Sequence, residues 1–273
     1  PAFGNRATSS TVVRWNFRGL RSRLGKYPSF LISMKIPLIL RPLLGMSLLA
    51  CSLSGQPLAS GKNTVMLRGQ PQEVYCYPAA GPKTGALLFL PGDGGWRGFA
   101  IDIANGAASC GYDVFGWDTK SYLAGFTSNQ PALTEAQVMD DFRAMAGALT
   151  RGKPEKMVVG GWSEGAGLAL LAAAAPENRT TFLGLLAIGL PERNFLGWRL
   201  SDSITYLTKR EPNEPHFDSM PLLSSVSPLP LAMIHSSGDE YVKLDLARAM
   251  FDTAAQPKRF FLVEARNHSY DGN

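Results

Sequence analysis

The segment VVGGWSEGAG, residues Val158–Gly167, carries the pattern that decides the fold. It places Ser163 between Gly161 and Gly165, where a run of small apolar residues gives way to a helix-forming sequence. G-x-S-x-G between a buried strand and a helix is typical of a nucleophile elbow, a sharp turn that lifts the serine above the sheet. Side chains at the two glycines would clash with neighbouring backbone in such a turn. The segment predicts Ser163 as a nucleophile, with a plain glycine-rich turn as the alternative.

The rest of the chain alternates between strand-like and helix-like segments. Apolar runs at residues 85–91, 112–118, 156–162, 181–189, 230–236 and 259–265 are typical of buried parallel strands. Helices are expected up to about Cys110, after the Thr134 and Gln137 capping box, over residues 165–175 and over residues 244–254. This order predicts an α/β-hydrolase fold, with a mostly parallel central sheet, helices on both faces and a short lid insert after the sixth strand.

Two short strands within residues 64–77 open this pattern, with a turn expected at Gly69–Gln72. No helix separates them, so they are expected to pair antiparallel at one edge of the sheet. The predicted domain division is a leader over residues 1–61 and the hydrolase domain over residues 62–273.

A nucleophilic serine needs a base and an acid that orients the base. His268 follows the last strand in EARNHSYDG, whereas His235 lies inside a strand and His216 lies in the insert. Asp239 follows the preceding strand, with Glu240 as the alternative acid. The chain order Ser163, Asp239, His268 is the order of an α/β-hydrolase triad, so these three residues are the predicted catalytic set.

The oxyanion hole of such an enzyme is built from backbone N–H groups. The N–H of Glu164, directly after the nucleophile, is one predicted donor. The N–H of Asp93 in LPGDGGW is the other, with Gly92 or Gly94 as alternatives, because Pro91 has no N–H to donate. Three tryptophans near these motifs and in the insert are predicted substrate contacts: Trp96, Trp162 and Trp198.

The insert offers two further features. The apolar residues of its first part could form a lipid-receiving lid or cap the core: Phe195, Leu196, Trp198, Leu200, Ile204 and Tyr206. Its acidic residues could meet a cationic substrate group or remain solvated: Glu211, Glu214 and Asp218.

The net charge of +5 does not describe the globular part of the chain. Residues 1–62 hold nine of the 27 basic residues and none of the 22 acidic ones. The remainder, with 18 basic and 22 acidic residues, is mildly acidic, which argues against a nucleic-acid partner.

The basic leader is typical of a targeting segment. From Met34 it has a short basic region, an apolar stretch from Pro42 to Leu53 and a small-residue end, which predicts a signal peptide and a periplasmic or secreted protein. Two modes of processing remain open. One is cleavage near Ala59, and the other is lipoprotein processing at Cys51, which would give a lipid-anchored or peripheral membrane protein. An organellar transit peptide over residues 1–33 is the rival interpretation.

Neither a metal nor another cofactor is predicted. No metal-ligand spacing of cysteine and histidine occurs, and no G-K-[ST] follows the glycine-rich loop, so that loop is not a phosphate cradle. Cys76 and Cys110 could pair in an oxidising compartment, although the sequence does not decide whether they do.

Three of these motifs together resemble the VirJ-type bacterial virulence proteins and their AcvB relatives. They are LPGDGGW (90–96), GWSEGAG (161–167) and NHSYDG (267–272), with a looser likeness in RNFLGWRLSD (193–202). The likeness runs from about Leu87 to the C-terminus and matches Ser163 and His268 to the family's serine and histidine, and Asp239 less securely. Trp162 and Glu164 depart from the family's aromatic–Ser–Phe pattern.

The resemblance implies a periplasmic protein linked to hydrolysis of aminoacylated phosphatidylglycerol, notably lysyl-phosphatidylglycerol, or to secretion machinery. The residues themselves imply only acyl transfer. The main hypothesis is a serine esterase with a Ser-His-Asp triad and an acyl-enzyme, acting on an ester that could be a membrane lipid. The alternatives are a general carboxylesterase similar to dienelactone hydrolases, and a non-catalytic binding component of a secretion assembly.

Overall fold

The computed structural model describes residues 58–152, 155–199, 201–202 and 212–272. The strands in these ranges are β1 (Gly61–Leu67), β2 (Gln70–Tyr77), β3 (Gly85–Leu90), β4 (Tyr112–Trp117), β5 (Met157–Trp162), β6 (Phe182–Ile188), β7 (Arg193–Phe195), β8 (His216–Asp218), β9 (Leu231–Ser236) and β10 (Lys258–Val263). The α-helices are α1 (Phe99–Ser109), α2 (Thr119–Thr127), α3 (Glu135–Thr150), α4 (Glu164–Ala174), α5 (Ser219–Leu223) and α6 (Leu244–Thr253).

Eight strands form one sheet in the order β1-β2-β4-β3-β5-β6-β9-β10. The pairs β1–β2 and β2–β4 are antiparallel, and the remaining pairs are parallel. The insert between β6 and β9 carries the small antiparallel pair β7–β8 and helix α5. The predicted α/β-hydrolase architecture, with its antiparallel edge and its insert after the sixth strand, is confirmed.

The sheet is covered on both faces, and β3 illustrates how its sequence achieves this. Leu88 and Leu90 join the larger apolar cluster, which includes buried residues of α3 and α4. Leu87 and Phe89 point to the other face and join a smaller cluster with residues of α1. A strand buried on both sides has no polar face to show, which explains its continuous apolar run.

The structure differs from the sequence predictions in two places. The turn of the first hairpin is at Arg68 and Gly69, with φ of 47° and 77°, and not at Gly69–Gln72. Two central residues with positive φ match the twist of the paired strands, which fixes this register. Helix α2 was not predicted; its start is marked by Asp118, whose side chain accepts a hydrogen bond from the N–H of Ser121 at 2.7 Å.

The leader prediction falls almost wholly on residues 1–57, which lie outside the described ranges. The first strand begins at Gly61. Within the described ranges, no helix combines the length and the apolar character needed to cross a bilayer.

The turn between β5 and α4 is a strained elbow, as its sequence predicts. Ser163 has a φ of 56°, which side-chain-bearing residues adopt at a cost. A Cβ at Gly161 would lie 2.2 Å from the carbonyl carbon of Gly165, and a Cβ at Gly165 would lie 2.3 Å from the carbonyl oxygens of Leu90 and Pro91. The N–H of Ser163 donates to the carbonyl of Ile188 at 3.0 Å, which ties the elbow to β6.

Gly165→Ala should lower the free energy of unfolding by about 3 kcal/mol or more, because the new methyl group meets backbone that cannot move aside. The matched control is Gly147→Ala in α3, where a Cβ would meet nothing within 4 Å. That control should be neutral or stabilise by about 0.5–1 kcal/mol. Urea unfolding of both variants checks this, and equal midpoints for the two would contradict the account of the elbow.

Candidate active site

The three residues of the predicted triad lie beyond the carboxyl ends of three parallel strands. Ser163 follows β5 directly, Asp239 follows β9 and His268 follows β10. The strands β5, β6, β9 and β10 are successive neighbours in the sheet, so their carboxyl ends meet at one edge. The fold therefore brings residues that are 76 and 29 positions apart in sequence to the same edge.

The imidazole of His268 is bound to the carboxylate of Asp239. Nδ1 of His268 lies 2.6 Å from Oδ2 of Asp239, and both residues are buried. An ionised carboxylate at this distance fixes the proton on Nδ1 and leaves the lone pair on Nε2. Nε2 is buried and has no hydrogen-bond partner among the residues that the structure describes. The imidazole is thus arranged to accept a proton at Nε2.

Asp239 is held ionised by its surroundings. Burial raises the pKa of this carboxyl group, but hydrogen bonds from His268 and from the N–H groups of Val242 and Tyr241 outweigh burial and lower the pKa. The two backbone donors lie 2.9 and 3.0 Å from Oδ1, which leaves Oδ2 for the imidazole. Asp239 can therefore stabilise an imidazolium at neutral pH.

Glu240, the alternative acid, has a different partner. Its Oε2 accepts a hydrogen bond from the backbone N–H of His268 at 2.8 Å and so supports the loop rather than the imidazole ring. Tyr270 also fixes the loop after β10 that carries His268. Its hydroxyl donates to the carbonyl of Ile234 at 3.0 Å, and its ring stacks on Phe99 with the ring centres 5.0 Å apart.

The other two histidines lie in different surroundings. His235 is buried within β9, and its Nε2 lies 3.0 Å from the carbonyl oxygen of Val242. Burial lowers the pKa of His235, which favours a neutral ring donating to that carbonyl. His216 is exposed at the start of β8 in the insert.

The two predicted oxyanion donors converge on one group, the carboxylate of Glu164. The N–H of Asp93 donates to Oε2 of Glu164 at 3.3 Å. The carboxylate also accepts hydrogen bonds from its own backbone N–H and from the hydroxyl of Ser163. Asp93 and Glu164 are thus brought beside Ser163, and the serine hydroxyl is bonded to Glu164 in this state.

Sequence reasoning missed the residues that hold the loop after β3 in place. Oδ2 of Asp118 accepts a hydrogen bond from the N–H of Trp96 at 2.5 Å, and the hydroxyl of Thr119 donates to the carbonyl of Pro91 at 2.6 Å. Asp118 is also the N-cap of α2. The signal was present as an aspartate ending the apolar run 112–118, but it carries meaning only when the following helix is recognised.

The three tryptophans have separate environments. Trp96 stacks on Tyr75 at 5.3 Å and packs over Gly116, where a Cβ would lie 1.9 Å from the indole. The indole N–H of Trp162 donates to the carbonyl of His268 at 3.2 Å. Trp198 packs against the larger core cluster. Their role as substrate contacts stays a prediction, and Trp162 contacts His268 of the predicted triad.

The insert is described in part. Leu196 is buried, whereas Leu200, Ile204, Tyr206 and Glu211 lie outside the described residues. Glu214 is buried and paired with Arg199, and Asp218 is exposed and lies 3.7 Å from Arg193. Of the acids predicted to meet a cation, Glu214 and Asp218 each already have one within the chain.

No group of three or more potential metal-ligating residues occurs in the described ranges. Cys76 and Cys110 are free thiols, the first buried and the second exposed. An open apolar cavity of about 690 Å³ is bordered by residues of β3, β5, β6, β9 and β10, and none of the triad residues lines it. The candidate site is therefore defined by its hydrogen bonds and not by this cavity.

Replacing the two neighbouring acids separates their roles. Asp239→Asn should lower kcat/KM for ester hydrolysis by about 10³–10⁴, because the amide no longer fixes the imidazole tautomer or stabilises its charge. Glu240→Gln keeps a side-chain oxygen for the N–H of His268 and should cost less than about tenfold. Steady-state kinetics with a 4-nitrophenyl ester measures both, and a larger loss in Glu240→Gln would reverse the assignment.

Comparison with known proteins gives a family resemblance and a fold. The model of a family described as "Bacterial virulence protein (VirJ)" matches residues 85–192. This range includes the loop after β3 and the serine elbow and ends before most of the insert and the terminal histidine motif. The resemblance of those two later segments therefore stays a prediction. A search of curated proteins found no match.

Solved structures share the architecture at low sequence identity. The α/β hydrolase GrgF from Penicillium sp. sh18 is 13% identical, with a TM-score of 0.58 over 77% of this chain and 91% of that one. The esterase domain of a Rhodothermus marinus protein is 16% identical, with a TM-score of 0.55 over 79% and 92%. An α-β serine hydrolase homologue from Coxiella burnetii is 12% identical, with a TM-score of 0.53 over 80% and 93%. The protein thus has the α/β-hydrolase fold, and its residues 85–192 resemble the VirJ family of bacterial virulence proteins.

Proposed function

We propose that the protein is a serine hydrolase that cleaves carboxylic esters through an acyl-enzyme. The observation that carries the proposal is the 2.6 Å contact between Nδ1 of His268 and Oδ2 of Asp239, at the sheet edge where Ser163 occupies a strained elbow. A buried, ionised acid that fixes an imidazole at the same sheet edge as a raised serine supports a site for acyl transfer.

The proposed reaction has two halves. Oγ of Ser163 attacks the ester carbonyl while Nε2 of His268 takes its proton, and the imidazolium gives that proton to the departing alcohol. Water then attacks the acyl-enzyme, with His268 again as base, and releases the acid and free Ser163. The N–H groups of Asp93 and Glu164 would bind the oxygen that becomes negative in each half.

The substrate class rests on the resemblance and on the surface beside the triad. We propose an aminoacylated phospholipid such as lysyl-phosphatidylglycerol, as the VirJ-type resemblance implies. Tyr241 supports a lipid-facing site, because it is 76% exposed and its ring lies 5.3 Å from that of His268. An exposed aromatic ring next to the reacting groups favours an amphipathic substrate at a membrane surface.

Ser163→Ala should abolish hydrolysis, with a loss of about 10⁴-fold or more in kcat, because the proposed acyl-enzyme forms on Oγ of Ser163. The full chain and this variant are incubated with lysyl-phosphatidylglycerol vesicles and with short 4-nitrophenyl esters, and mass analysis reads the products. Retained activity in Ser163→Ala would reject the nucleophile.

The two substrate arms of that assay separate the candidate activities. Cleavage of the short esters alone would favour a general carboxylesterase. Failure to cleave either substrate by a folded protein would favour the non-catalytic binding role in a secretion assembly.

We propose a periplasmic or secreted location, from the basic, acid-free leader and its apolar stretch. Mass spectrometry of the mature protein should find an N-terminus near Ala59, or a lipidated one at Cys51 in protein that partitions with membranes. Cys51→Ser distinguishes these, since it releases only the lipidated form. A mature chain that keeps Arg6 would contradict the proposed location.

A further inference from the structure

Glu164 is the first residue of α4, and its side chain turns back over the start of its own helix. Its Oε2 accepts the N–H of Asp93 at 3.3 Å, and its carboxylate accepts its own N–H and the hydroxyl of Ser163. The position of a Cβ on Gly92 would lie 3.5 Å from this Oε2 and 3.7 Å from Oγ of Ser163. The carboxylate is therefore enclosed between the loop after β3 and the nucleophile.

These contacts coincide with those that a reacting ester would need. In acyl transfer, two backbone N–H groups bind the negative oxygen that develops next to the serine. Here both predicted donors already point at a carboxylate oxygen, which carries the same charge and accepts the same hydrogen bonds. The N-terminus of α4, directly behind it, favours negative charge at this point.

The helix dipole alone does not explain this placement. An acid in the first turn is stabilised by the dipole even when it faces solvent, as Glu135 does at the start of α3. Glu164 faces Asp93 and Ser163 instead, and its hydrogen bond from the serine hydroxyl competes with the bond that His268 needs. Nε2 of His268 has no partner among the described residues, in agreement with that competition.

We propose that Glu164 is an internal ligand of the oxyanion hole, which the carbonyl oxygen of the substrate must displace before Ser163 can react. The inference rests on the proposed function of Ser163. It makes Glu164 a determinant of the rate of acylation: when the carboxylate leaves the hole, the two N–H groups are free for the ester and the serine hydroxyl is free for Nε2 of His268.

The electrostatic surroundings make that displacement feasible. Burial and the neighbouring charge of Asp93 raise the pKa of Glu164, even though its hydrogen bonds oppose the rise. The ionised carboxylate is thus held less firmly than its three hydrogen bonds alone would suggest. The polar side chains that interact with it are those of Asp93 and Ser163.

The rate at which Ser163 reacts with a fluorophosphonate tests the proposal. In that reaction Oγ of Ser163 forms the phosphorus–oxygen bond, fluoride leaves and His268 takes the proton, while the phosphoryl oxygen enters the oxyanion hole. Glu164→Ala empties the hole and should raise the second-order labelling rate of the full chain about tenfold or more. Glu164→Gln keeps the shape of the side chain without its charge. Its labelling rate should lie between the rates of the unmodified protein and of Glu164→Ala.

Glu135→Ala is the matched control, because it removes a first-turn acid from α3 without touching the site. It should label at the rate of the unmodified protein. Labelling of Glu164→Ala at or below the unmodified rate would overturn the proposal, and Glu164→Gln decides the question if the alanine variant does not fold.

The same assay separates this inference from the proposed function. If the unmodified protein labels at Ser163, and Ser163→Ala does not, the function stands whatever Glu164 does. If neither the folded unmodified protein nor the folded Glu164 variants label, the function fails and the role of Glu164 fails with it. Labelling that appears only when Glu164 is replaced would support both the proposed function of Ser163 and the proposed role of Glu164.

Discussion

The candidate site depends on the close approach of backbone at the turn between β5 and α4. The start of α4 lies so near the end of β3 that a single carbon at Gly165 would overlap the carbonyls of Leu90 and Pro91. The same closeness brings the loop that follows Pro91 beside the nucleophile. The same close packing therefore accounts for the positive φ of Ser163 and for the position of the Asp93 N–H beside the elbow. The elbow and the predicted oxyanion hole are a single structural unit.

The imidazole side of the site depends on the sheet rather than on a turn. Since β9 and β10 are parallel neighbours, the loops that follow them leave the sheet at the same edge. Hydrogen bonds join the two loops: the N–H of Ala265 donates to Oγ of Ser237 at 3.3 Å, and the N–H of His268 donates to Oε2 of Glu240 at 2.8 Å. The contact between Asp239 and His268 follows from this pairing, because both side chains are carried by loops that these hydrogen bonds join.

Backbone N–H groups bind several of the carboxylates at this edge. Asp239 accepts two of them, Glu240 accepts the N–H of His268, and Asp118 accepts the N–H of Trp96. Fixed dipoles of this kind stabilise carboxylates without the entropy cost of ordering long basic side chains. They are also the donors that hold the carboxylate of Glu164 at the predicted oxyanion hole.

Local patterns in the sequence predict the order of most elements of the sheet and single out the candidate reactive residues. Apolar runs, a capping box and the glycine spacing around Ser163 are local, so they identified the parallel sheet, the elbow and the candidates Asp239 and His268. Which of these groups are in contact depends on the tertiary structure. Asp239 and Glu240 are adjacent in sequence, and only the course of the loop directs one to the imidazole ring and the other to the backbone of His268. Asp118 was missed because its role depends on an N–H 22 positions away. The contact between Glu164 and Asp93 spans 71 positions, so no local pattern encodes it; it exists because α4 and β3 pack without space for a side chain between them.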